Sequence, residues 1–145
     1  MGRFEEVLEK EGRLVYRIKG VSMLPMLRQN SDIVVIARPQ GRLKKYDVAL
    51  YRRGPDYVLH RVIRVTDWGY LIRGDNTYAL EKVPSDAVIG VLTAFVRGGK
   101  TRRVTDPGVR AYAWVWHAIY PLRVFCLKVR RRLGRLARKL GLRRG

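Results

Sequence analysis

Cysteine is almost missing from these 145 residues. Cys126 stands alone in an apolar run, so no internal disulfide can form. Histidine and serine are scarce as well: there are two histidines, His60 and His117, and three serines, Ser22, Ser31 and Ser85. There is no Cys/His cluster with metal-ligand spacing and no glycine loop that would cradle a phosphate ahead of a helix. Neither a metal nor a nucleotide cofactor is therefore expected. Residues 1–20 are rich in charge and contain no apolar h-region, so no secretory signal peptide is expected there. No internal repeat is visible.

Acidic residues are few, 12 against 31 Lys and Arg, for a formal net charge of +19. They are also unevenly placed. Residues 1–96 hold 16 Lys/Arg against 11 Asp/Glu, whereas residues 97–145 hold 15 against the single Asp106. The first part has the balance of an ordinary, mildly basic domain. The last third is a polycation of a kind that seeks phosphate, in lipid headgroups or in nucleic acid. An apolar content of 47% with modest glycine and proline argues for a folded chain, and the length suits a single core.

In order along the chain, Phe4, Val7 and Leu8 at helical spacing predict a short helix over 2–10. Strands are expected over 14–18, 33–36, 48–51, 58–65, 70–73 and 88–96, from β-branched and aromatic content between turn residues. Asp67-Trp68-Gly69 reads as a hairpin turn. Several short strands at this spacing predict a mainly β fold, an antiparallel sandwich or a partly open barrel. This β domain is placed at 1–100 and a basic helical segment at 101–145. Within that segment, 111–129 is mostly aromatic and aliphatic, interrupted by His117, Pro121, Arg123 and Lys128. It is marginal against the roughly 20 apolar residues that a bilayer span needs. Residues 130–144 place Leu133, Leu136 and Leu140 on one helical face among arginines and lysines, the pattern of a basic amphipathic helix. The segment either packs as an ordinary terminal helix or meets a membrane.

The run Gly20-Val21-Ser22-Met23-Leu24-Pro25-Met26-Leu27 carries a serine between apolar residues. Pro25 removes an amide donor and biases Leu24 towards extended backbone, so an extended, rigid seat is expected for Ser22. Such a serine is either a nucleophile or a strand-end cap. Downstream follow Tyr46-Asp47-Val48, then His60-Arg61-Val62, then Gly74-Asp75-Asn76. In this order the motifs resemble those of type I signal peptidases, and more broadly the serine peptidases that include self-cleaving repressors. The resemblance covers about residues 18–96.

That resemblance implies a serine endopeptidase acting on a precursor or signal-type peptide with small side chains near the cleaved bond. Ser22 would be the nucleophile. His60 stands where bacterial relatives carry a lysine base, as in the histidine variant of endoplasmic-reticulum and archaeal signal peptidases. Asp75 would orient His60, with Glu81 and Asp86 as alternatives. Met23, Leu24, Pro25 and Met26 would line the substrate cleft. Many relatives have a hydroxyl residue two positions before the nucleophile, where this chain has Gly20, which leaves the backbone amide of Ser22 as the oxyanion donor. Relatives also usually carry a membrane-spanning helix before the serine motif, and none is seen here. An anionic membrane surface is the expected partner of 111–145, either peripherally or through one span, with a cytoplasmic protease as the alternative. Two rivals remain. One is a self-cleaving regulator, although only about 18 residues precede the motif and an Ala-Gly cleavage site is absent. The other is an inactive relative whose basic tail binds nucleic acid or acidic lipid.

Overall fold

The computed structural model describes residues 2–141. These form a mainly β fold with helices at both ends. Helix α1 is Arg3–Glu11, and eight strands follow: β1 Arg13–Arg17, β2 Ile33–Ala37, β3 Val48–Arg53, β4 Asp56–Val65, β5 Gly69–Arg73, β6 Glu81–Pro84, β7 Val88–Arg97 and β8 Lys100–Arg103. Helices α2, Pro107–Ala118, and α3, Tyr120–Lys139, close the chain. The described residues belong to two compact units, one through Ala111 and one from Tyr112 onward.

All strand pairs are antiparallel, in the order β1-β2-β7-β3-β4-β5-β6, with β8 on β7. The sheet is an open, curled half-barrel. Irregularities at Val35/Ile36, Leu50/Tyr51 and Val62/Arg64 break the pleat's register, and such bulges bend and twist a strand. The curl can be measured from two side chains. In a flat sheet β3 and β6, three strands apart, would lie about 14 Å from each other. Instead Tyr51 on β3 and Glu81 at the start of β6 hydrogen-bond at 2.8 Å.

The core sits inside this curve. Ala49, Tyr51, Val62, Tyr70, Ile72 and Val83 form one buried cluster. Val48 to Tyr51 are buried one after another, which marks β3 as covered on both faces and explains its unbroken apolar run. Helix α1 caps its own first amide through Glu5, at 2.6 Å from Gly2 N, and ends where Gly12 takes a left-handed φ of 69°. Phe4 of α1 stacks between Tyr16 and Tyr57, at ring-centroid distances of 4.9 and 4.8 Å.

Two strands were not expected, β6 and β8. β6 is only four residues, Glu-Lys-Val-Pro, of which Val83 alone is buried. β8 is Lys-Thr-Arg-Arg, exposed throughout, and pairs only on backbone grounds with the end of β7. It moves residues 101–103 from the expected helical segment into the sheet. The apolar stretch 111–129 is not one helix either. It is divided between α2 and α3, with Pro121 in the first turn of α3, where its missing amide costs nothing. Arg123 folds back across this break: its guanidinium lies 3.9 Å from the Trp116 ring centroid and donates to the Trp116 carbonyl at 3.3 Å. Among the described residues no helix is long and apolar enough to cross a membrane. Residues 142–144 of the expected amphipathic helix lie outside the described residues. Cys126 is free and exposed on α3.

Candidate active site

His60 stands near the middle of β4, directly opposite Ala49 on β3. Tyr51 is two residues along β3 from Ala49, and strand geometry puts it on the same face. Its hydroxyl lies 3.3 Å from His60 Nδ1. The other ring nitrogen, Nε2, lies 3.0 Å from Ser22 Oγ. Ser22 and His60 thus meet across 38 residues of chain. Ser31, by contrast, bonds to Asp32 and to the Arg28 carbonyl, and Ser85 opens a 3-10 turn after β6.

The hydrogen bonds dictate the histidine tautomer. The Tyr51 hydroxyl donates its single proton to Glu81 Oε2 at 2.8 Å, because a carboxylate only accepts. The phenol oxygen then faces Nδ1 as an acceptor, so the ring proton sits on Nδ1. Nε2 is left with its lone pair towards Ser22, which donates. That is the arrangement a general base requires. Arg53 pairs with the far oxygen of Glu81. Burial pushes the imidazole below its ordinary value of 6.5. The Glu81 charge opposes this, Arg53 adds to it, and Asp75 opposes it. The ring is therefore neutral at pH 7. Burial and the bond to Glu81 push the Tyr51 phenol far above its usual range, so it remains a donor.

Asp75 does not touch the His60 ring. Its carboxylate is fully buried and accepts two bonds from Arg61, at 2.8 and 2.9 Å. Adjacent residues on a strand face opposite ways, so Arg61 takes Asp75 on the side of β4 away from His60. The carboxylate nearest to the expected orienting role is Glu81, acting through Tyr51. Asp86 is exposed after β6.

Ser22 lies in a turn rather than on an extended segment. Leu24 N donates to Val21 O and Leu27 N to Met23 O, and the Leu24–Pro25 peptide is cis. The turn is held from several sides. Asn76 donates its backbone amide to the Ser22 carbonyl at 2.8 Å and its side-chain amide to the Val21 carbonyl at 3.1 Å. Arg97, paired with the buried Asp32, donates to the Met26 carbonyl at 2.6 Å. Gly74 fills the space beneath: a Cβ there would lie 2.6 Å from the Ser22 carbonyl oxygen and 3.0 Å from His60 Nε2. Each residue of Gly74-Asp75-Asn76 therefore has a separate task. The amide of Ser22 donates to no protein acceptor among the described residues, which leaves it available to a bound group.

A cleft of about 1130 Å³ opens beside the dyad. It runs along α1 and β1, past Ser22 and His60, to Glu81. Of the four residues expected to line it, Met23 does; Leu24, Pro25 and Met26 do not. Met26 is buried, with its sulfur 2.7 Å from the Arg61 guanidinium, because the turn directs it inward. Tyr51, Gly74 and Asn76 are site residues that the sequence alone does not single out. The available signals were an aromatic with a polar handle in a buried apolar run, and a Gly-Asp-Asn motif whose glycine and asparagine are also ordinary turn residues. No family model and no curated protein matches the chain.

Proposed function

We propose that this protein is a serine endopeptidase of the signal-peptidase-like group, working through Ser22 and His60. The observation that supports the reading best is the 3.0 Å approach of Ser22 Oγ to an imidazole nitrogen whose lone pair faces it. Ser22 Oγ attacks the scissile carbonyl carbon while His60 takes its proton, and His60 then protonates the leaving amine. Water hydrolyses the ester, with His60 again as base. Tyr51, backed by Glu81, is a positioning residue that keeps the imidazole in its working tautomer. The Ser22 amide faces the oxyanion. An extended peptide adds to the outer edge of β1, the terminal strand of the sheet, in the manner of strand addition.

The test is cleavage of a peptide mixture by the wild type and by Ser22→Ala. Products that vanish in the variant are expected. Equal products from both proteins, or none from the wild type with any peptide, would sink the reading.

We also propose that α3 rests on an anionic membrane surface. It carries eight Lys/Arg and no acidic residue. Leu122, Phe125, Leu133, Leu136 and Leu140 are each more than half exposed, at spacings that put them on one face with Val129. An apolar stripe flanked by cations is the pattern of an interfacial helix. A peripheral position fits the division of 111–129 better than a span does.

A further inference from the structure

The cleft beside Ser22 is lopsided in charge. Five cations line it, Arg3, Arg13, Arg17, Lys19 and Arg53, against Glu11 and Glu81. Glu81 is taken by Arg53, and Arg17 donates to the neutral Asn30 carbonyl, which leaves its charge uncompensated. Arg3, Arg13 and Lys19 have no ion-pair partner among the described residues, and all three are exposed. Three of these cations follow a pattern. Arg13, Arg17 and Lys19 share odd positions on the segment that leads into Ser22, while Leu14 and Ile18 between them are buried. Along extended chain the three span about 20 Å. A peptide strand laid against β1 presents its own side chains at the same alternate spacing.

We infer that the cleft selects an acidic peptide segment, extended along β1, with carboxylates at alternate positions on one side of the scissile bond. This rests on the peptidase reading for its consequence, but binding can be measured without cleavage. The cations then do two things. They attract the segment from solution, and they fix its register relative to Ser22, since a shift by one residue would turn the carboxylates away.

The experiment uses full-length Ser22→Ala, which keeps the cleft and removes turnover. Short labelled peptides carrying Asp, Asn or Lys at alternate positions are titrated against it at about 0.15 M salt, where only charges within roughly 8 Å remain strongly coupled. The Asp peptide should bind tightest. Arg13→Gln with Lys19→Gln should weaken it by roughly 2- to 30-fold, because each exposed ion pair is worth a factor of about 1.4 to 5. Arg131→Gln with Arg132→Gln on α3 should change little. Equal binding of the Asp and Asn peptides overturns the inference. So does an Asp advantage that survives in the cleft variant and falls in the α3 variant, since the basic helix would then be the binder. Wild-type cleavage, run in parallel, separates the two proposals. Cleavage without Asp preference keeps the peptidase and removes the selection. Cleft-dependent Asp binding with no cleavage does the reverse.

Discussion

The hydroxyl of Tyr51 has one proton and two neighbours, and Glu81 takes the proton. Replacing Tyr51 with Phe leaves the Nδ1 proton of a buried ring without an acceptor, a loss of about 1–3 kcal/mol. We expect kcat to fall by roughly 5- to 150-fold in peptide cleavage, with the fold retained. In the proposed mechanism the charges behind Tyr51 set the pH profile. His60 works as a base only when neutral, so activity is present above its pKa and is lost as pH falls through it. Burial puts the acid limb of kcat/KM below 6.5. Glu81→Gln removes a charge that favours protonation and should move that limb to lower pH. Arg53→Gln removes one that disfavours it and should move the limb up. Opposite outcomes, or no movement in either, would show that Glu81 and Arg53 do not face the titrating base. Gly74→Ala tests contact rather than charge. Its Cβ would push on the Ser22 carbonyl and the His60 ring at once, so activity should drop at least as far as in Tyr51→Phe. An unchanged rate would mean that the two groups need not be this close.

At the scale of elements, the turn that carries Ser22 is a loop without a ladder of its own, and it is fixed by what surrounds it. Asn76 holds its start and Arg97 its end. Arg61 ties β4 both to the motif after β5, through Asp75, and to the turn, through Met26. The Arg61–Asp75 pair is almost fully buried, and removing one partner from such a pair leaves an unpaired charge in the core, at about 3–5 kcal/mol. Asp75→Ala should therefore lower the urea unfolding midpoint sharply. Its effect on the pH profile should be smaller than that of Glu81→Gln, because Asp75 ranks below Glu81 among the charges acting on His60. A variant of normal stability with a displaced acid limb would return Asp75 to the orienting role that the motif order implied. The pairing also shows why Gly-Asp-Asn is only partly legible in the sequence: spacing brings an acidic residue near the histidine's strand but does not say on which side of it.

The whole molecule divides its charge as it divides its units. The unit through Ala111 holds all 12 acidic residues, and α3 holds none. Each cation near an anionic membrane surface is worth about 1 kcal/mol, and buried leucines add to this. We expect the full chain to sediment with acidic vesicles and not with neutral ones. Leu133→Asp with Leu136→Asp should abolish sedimentation while cleavage of a soluble peptide continues. Retention on RNA without any vesicle binding would assign the helix to nucleic acid instead, and a self-associating stripe would appear as a concentration-dependent dimer.

Strands β1 to β5 and β7, the N-terminal helix and the basic, leucine-striped end are legible in the amino-acid sequence. Each is written in a local period of apolar residues or in a run of one charge, and needs no distant contact to be read. Ser22 and His60 stand out as candidate nucleophile and base because they are the serine and histidine that fall within the motifs resembling those of signal peptidases. What stands behind His60 emerges from the folded sheet alone. Tyr51 and Glu81 meet because bulges curl the sheet, and curvature is the sum of small backbone departures that no side-chain pattern records. The same holds for Asp75, whose side of β4 follows from strand register, and for Leu24, Pro25 and Met26, which a turn carried away from the cleft. β8 was illegible for a simpler reason: four exposed polar residues pair by backbone alone, and backbone hydrogen bonds leave no mark on composition.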